Sequence, residues 1–409
     1  MVFRSSQVDR MSQNFYNPKI NRNNYYWQTL LLVFFWIVYQ SVPLQAQTKV
    51  LIDDKMFEID ARMAIDSLYN RNNDGAWYLM KPWRQSYPDH PIWLLWEGME
   101  LWWEVLDDLA DTSLDRKFIE KMMEADFEAS RLLRREQDHK DALIIKAVST
   151  SYIARLHSNR EEWVRSLQVG RAGYQAHLRL LEVAPDLPDN LFAEGMKLYY
   201  SAYIPEAYPV VRAVSWFLPE GDKQGGIDTL AEASQKAVFA RQEAAYFLGT
   251  IYLNYEREFE KAKILYKGLT DRYPNNPYYR RLYLRTLAQL NEYQEMMRFF
   301  DETMEHWQKN NLPENKVMEA EIWYWYGRAQ YYSGMLGASL ESFSRSVALG
   351  SELVNPRERD THTLAAFFAG RASEQLRQHD EARKYYRIAA NQRAVPDASR
   401  EARQRLRAL

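Results

Sequence analysis

From Lys55 onward apolar residues recur every three to four positions, and no stretch alternates convincingly with period two. The pattern predicts helix throughout. Three Pro-x-x-Pro turns divide it: Pro88-Asp89-His90-Pro91, Pro185-Asp186-Leu187-Pro188 and Pro274-Asn275-Asn276-Pro277. The first Pro of each ends a helix, because its ring clashes with the preceding turn and it has no N–H. The second Pro suits the first turn of the next helix, where no N–H partner is needed. The turns lie 97 and 89 residues apart, room for two helical pairs in each interval. Eight pairs are expected, at about 55–87, 91–136, 141–184, 188–240, 242–274, 277–309, 319–352 and 362–394. A last helix from Asp397 to Arg407, rich in Arg and Glu, reads as a polar cap for the final layer.

A block with fixed internal punctuation repeats four times in the second half, starting at Gln242, Pro277, Ala320 and Thr363. In its first helix a bulky residue precedes a small one: Leu248-Gly249, Tyr326-Gly327 and Ala369-Gly370, with Tyr283-Leu284 the degenerate member. In its second helix comes a small or soft residue (Ala262, Met296, Ser339, Ala382), then an aromatic four positions later (Tyr266, Phe300, Phe343, Tyr386). The Gly249-equivalent positions are 35, 43 and 43 residues apart. This is the signature of a helical-pair repeat.

These residues resemble the tetratricopeptide repeat. In the 320–352 block Trp323, Tyr326, Gly327, Gly334, Ser339 and Phe343 fall on the family's W, L, G, G, A and F positions. The 363–395 block matches with Gly370, Ala382, Tyr386 and Ala389, and the 242–274 block with Leu248, Gly249, Tyr252, Ala262, Tyr266 and Pro274 after a one-residue slip. The 277–309 block is weak, with Leu284 where glycine or alanine is usual. The resemblance implies an all-α, right-handed tetratricopeptide-like (TPR-like) solenoid, divided into divergent helical pairs over 47–240, TPR-like repeats over 241–395 and a capping helix over 396–409. It also implies a concave groove, lined by the first helix of each pair, that holds a protein partner. Residues from Gly195 to Pro274 are further similar to an arrangement in exported bacterial repeat proteins of unassigned role.

Composition narrows the picture. A net charge of −2 gives no field for nucleic acid. The absence of cysteine excludes disulfides, thiolate metal sites and cysteine nucleophiles. Arg4, Arg10, Lys19 and Arg22 precede an apolar run over 30–39, and Leu44-Gln45-Ala46 offers a cleavage site before Gln47. That run is shorter than the roughly 20 residues of a spanning helix. Residues 1–46 therefore read as a secretory signal, with an uncleaved anchor as the alternative. The expected location is periplasmic or secreted, at the bacterial cell envelope, with no membrane span after cleavage.

In the repeat register the fifth and ninth positions of each first helix face the groove. They are Tyr246 and Thr250, Arg281 and Arg285, Tyr324 and Arg328, and Phe367 and Arg371, with Tyr331 one turn after Arg328. A guanidinium presents a planar fork that fits carboxylates. An Arg stripe between aromatics suits an acidic peptide segment or an anionic glycan. The competing reading neutralises these arginines on Glu243, Glu321 and Glu374. Peptide-clamping relatives usually carry Lys and Asn here, so the Arg residues depart from that mode. Trp93, Trp96, Trp102 and Trp103 occur on a helix apolar on two sides, with Glu97, Glu100, Glu104 and Asp108 between, which favours core packing over sugar stacking.

Pro205, Pro209, Pro219, Gly221, Gly225 and Gly226 interrupt the fourth pair. Asp222 is a plausible N-cap there, and the glycines leave room for a neighbouring segment. The seven histidines show no metal-binding or catalytic spacing. The expected protein is a non-enzymatic interaction scaffold without cofactor or metal, its oligomeric state open. The alternatives are a glycan- or small-ligand-binding module of an uptake system, and a hydrolase hidden in 188–240.

Overall fold

The computed structural model of the protein describes residues 48–207 and 220–409. The signal segment over 1–46 and the residues Pro209 and Pro219 lie outside the described residues. Among the described residues there are seventeen α-helices and no strand. They form eight antiparallel-type pairs and a cap: α1 (Lys55–Tyr69) with α2 (Asn73–Ser86), α3 (Ile92–Asp107) with α4 (Asp115–Leu133), α5 (Lys140–Asn159) with α6 (Trp163–Val183), and α7 (Asn190–Ala207) with α8 (Lys223–Lys236). The C-terminal pairs are α9 (Arg241–Asn254) with α10 (Phe259–Arg272), α11 (Pro277–Leu290) with α12 (Tyr293–Lys309), α13 (Lys316–Tyr332) with α14 (Leu336–Glu352), and α15 (Asp360–Gln375) with α16 (His379–Ala390). The last helix, α17 (Pro396–Ala408), packs on α16 and α15. The chain is an all-α helical-repeat solenoid.

Local chemistry sets the helix starts. Asp54, Asn72, Asp222, Asn276 and Asn315 each accept a first-turn backbone N–H. Pro277 begins α11, as the turn pattern predicts. Pro205 does not break its helix; α7 runs through it to Ala207. Within six of the pairs the connecting turn contains one left-handed residue: Arg71, Glu161, Arg257, Asn291, Gly334 and Arg377. Gly334 is the residue type for which this conformation costs least, and Asn291 is the next most tolerant.

The repeat punctuation has a steric cause. A Cβ on Gly249 would fall 2.9 Å from the Tyr266 ring, on Gly327 2.8 Å from Phe343, and on Gly370 2.6 Å from Tyr386. The aromatic of each second helix therefore lies on the bare backbone of the first. In the degenerate repeat Leu284 fills that place. Phe300 instead stacks on Tyr326 of the next repeat, centroids 3.9 Å apart and planes 9° apart. The missing glycine and the redirected ring are one substitution seen from two sides.

The N-terminal pairs do not simply extend the stack. The Pro274–Pro277 turn receives the end of α1: Asn275 N–H donates to Asn70 Oδ1 at 3.0 Å, and Asn276 Nδ2 donates to the Tyr69 carbonyl at 2.7 Å. Asp66 accepts from Gln242, from Tyr273 Oη at 2.7 Å and from Arg272 at 2.7 Å. Trp103 of α3 packs edge-on against Tyr278 and Tyr279 of α11, and Arg359 forms a two-pronged ion pair with Asp108, at 2.8 and 2.6 Å. An open groove along the first helices was expected. Instead α1 and α3 fold back and fill its α9–α11 portion with aromatic side chains, because that surface is apolar and tyrosine-rich.

Candidate functional site

Where the N-terminal layer meets the repeats, a buried polar cluster forms around Glu243. It accepts from Tyr69 Oη at 2.7 Å, Tyr152 Oη at 2.9 Å and Arg155 Nη1 at 3.5 Å. Burial, together with the Glu243 charge, pushes both tyrosine hydroxyls well above their ordinary range, so both remain donors. The Arg155 guanidinium lies 4.8 Å from the Trp102 ring, 5.1 Å from Tyr246 and 4.8 Å from Phe247. The cluster fastens three helices (α1, α5 and α9) that no sequence period connects.

This packing sorts the eight predicted contact residues. Tyr324, Tyr331 and Phe367 expose only 2%, 9% and 5% of their surface and form wall, not contact. Tyr246 is half-buried beneath Arg155, its hydroxyl 3.0 Å from Tyr278 Oη. Arg281 donates to Glu321 at 3.2 Å and covers the Tyr278 ring at 4.4 Å. The expectation that all eight reach a partner is corrected: five are committed to the protein's own packing.

Arg285, Arg328 and Arg371 remain. They occupy one position on α11, α13 and α15, 43 residues apart each time. The acids expected to neutralise them are engaged elsewhere. Glu243 serves the cluster above, Glu321 holds Arg281, and Glu374 accepts from Tyr386 Oη at 2.7 Å and from Arg405 at 3.2 Å. Among the described residues none of the three arginines has an ion-pair partner.

Their surroundings are aromatic. The Arg328 guanidinium lies 5.4 Å from the rings of Trp325, Tyr332 and Phe368, and 5.9 Å from Tyr324. Its Nε is buried without an acceptor. Arg371 lies 5.9 Å from both Tyr331 and Phe367, and lines a surface depression with Glu374, Gln375 and Arg405. Arg285 is exposed and reaches Asn254 Oδ1 at 3.1 Å. Burial raises the Asp360 carboxyl and Arg285 pulls the other way, so these two charges sense each other without pairing. Ring faces hold a guanidinium in place while leaving its donors to a carboxylate.

The other candidates resolve into structure. Trp93, Trp96, Trp102 and Trp103 are all buried, so none offers a face to a sugar. Asp222 caps α8 by accepting from Gly225 N–H at 3.0 Å. A Cβ on Gly226 would lie 2.5 Å from Tyr199 N, so the glycine admits α7 against α8. His90 Nδ1 accepts from Ile92 N–H, and its Nε2 faces Asp141, which also accepts from Leu51 and Ile52 N–H. Among the described residues no group of His, Asp and Glu could hold a metal ion, and no helix is long and apolar enough to cross a membrane.

The glycine–aromatic contact and the paired helices define an all-α helical-repeat protein. No family model matches the chain, and no curated protein matches it. Among solved structures it is similar to the crystal structure of the yeast Tom70, with 10% identity and a TM-score of 0.43. The match covers 78% of this chain and 64% of that one, less than two thirds of that chain's length. The likeness is too loose to bring a role with it.

Proposed function

We propose that the protein is a non-enzymatic interaction scaffold of the bacterial cell envelope, and that its partner, a protein or peptide, docks on the face carrying Arg285, Arg328 and Arg371. One observation carries this reading: among the described residues three register-matched arginines form no ion pair, while Glu243, Glu321 and Glu374 are held by other side chains. The basic residues followed by an apolar run over 1–46 support an export signal and the envelope location, with cleavage before Gln47 as the corresponding expectation for the mature chain.

The test is cross-linking of the tagged chain in its native envelope beside the Arg285→Glu, Arg328→Glu, Arg371→Glu triple variant, with adducts identified by mass spectrometry. Arg281 is left intact, because its charge is part of the interior. Protein adducts lost in the triple variant support the scaffold. Adducts that persist unchanged remove the site from this face.

A further inference from the structure

The spacing of the three arginines says what kind of segment fits them. Consecutive first helices pack directly on one another, α11 on α13 and α13 on α15. Packed helices have axes about 8–10 Å apart. One arginine per helix, at one register position, therefore repeats at about that interval. A polyproline-II strand makes a full turn every three residues and rises about 3.1 Å per residue, so every third side chain shares one face at about 9 Å. A β-strand repeats its face at about 6.8 Å, which does not match. The face also offers what proline-rich strands use, aromatic rings beside polar donors. Tyr332, beside Arg328, is exposed over 45% of its surface.

We infer that the partner segment is a polyproline-II strand with Asp or Glu at every third residue, and that Arg285, Arg328 and Arg371 each receive one carboxylate. The inference rests on the reading of this face as the partner site. Arg328, with its guanidinium 5.4 Å from the Trp325, Tyr332 and Phe368 rings, is the central contact. Arg371 and Arg285 extend it to either side.

Fluorescence anisotropy on the purified full chain tests it with three labelled synthetic peptides. One carries Glu at every third position among prolines. The second has the same composition with its Glu residues contiguous. The third is a helix former with Glu at every seventh position, a spacing of about 10 Å along one helix face. The every-third peptide is expected to bind at least about tenfold tighter than either other, and Arg371→Ala to weaken it about tenfold, the scale of one charge-assisted contact. Arg371 makes no hydrogen bond among the described residues, so this variant is expected to fold; an unchanged thermal midpoint checks that. Equal or tighter binding of the contiguous or helical peptide overturns the inference. So does failure of all three peptides while envelope adducts still depend on the arginines, an outcome that keeps the scaffold reading. Adducts independent of the arginines remove both.

Discussion

Tyr69 Oη donates to Glu243 Oε1 at 2.7 Å across 174 residues of sequence. Through that bond the end of α1 is tied to the start of α9, and the first and second halves of the chain share one interior. A simple solenoid is stabilised by each repeat and its immediate neighbours. Here contacts between distant repeats add to that, so the halves are coupled.

The coupling predicts one cooperative unfolding transition. Trp77, Trp83, Trp93, Trp96, Trp102 and Trp103 lie in the N-terminal pairs and Trp307, Trp323 and Trp325 in the repeats, so tryptophan fluorescence is weighted toward the first half, whereas far-UV circular dichroism reports all helices. Urea curves followed by tryptophan fluorescence and by dichroism are expected to coincide. Glu243→Ala is expected to lower both together by about 3 kcal/mol, because it strands two buried hydroxyls and the buried Arg155 charge. A fluorescence transition that shifts while the other stays would mean the halves unfold separately.

The repeat punctuation predicts opposite outcomes for two glycine substitutions. In Gly370→Ala the new methyl falls 2.6 Å from the Tyr386 ring, and overpacking of this kind costs about 1–3 kcal/mol. Around Gly268, within α10, nothing lies within 4 Å of a new Cβ. Gly268→Ala is expected to stabilise by about 0.5–1 kcal/mol through helix propensity. Thermal midpoints moving in the same direction would discredit the ring-on-glycine explanation.

Two interior carboxylates predict opposing pH effects. Burial pushes Asp107 up to about 6 despite Arg71 and Arg281 nearby. The folded state thus holds this proton more tightly than the unfolded chain, and stability falls as pH rises from about 4 to about 6. Burial also works to raise Asp66, but hydrogen bonds from Arg272 and Tyr273 outweigh it and leave it below the usual range. Its contribution is present above about pH 4 and is lost as the solution becomes more acidic. Asp107→Asn should flatten the first limb and Asp66→Asn the second, measured by urea midpoint against pH. Identical profiles for the variants and the parent would contradict both assignments.

The helical pairs, one cap and the spacing of small and aromatic residues are legible in the sequence, because each depends on residues close together in the chain. Pro277 at the start of α11 and Asp222 at the cap of α8 were readable for that reason. The burial of the α3 tryptophans followed from a helix apolar on two sides. The fold-back was not legible. Nothing periodic joins Tyr69 to Glu243 or Asp108 to Arg359, and a tyrosine-rich groove wall looks the same whether a partner or α3 covers it. The stripe of eight residues was therefore drawn too wide. Glu243, Glu321 and Glu374 are legible as acids near it, but the fold gives them other partners. That reassignment leaves Arg285, Arg328 and Arg371 without an ion pair among the described residues.

The most direct measurement is a double-mutant cycle on Tyr69→Phe and Glu243→Gln, read by urea denaturation. If the N-terminal layer closes on the repeats, the two changes should be non-additive by about 0.5–3 kcal/mol. Additivity within about 0.3–0.5 kcal/mol would place the two residues apart, leave the groove open along its length, and contradict the closed arrangement that singles out the three arginines.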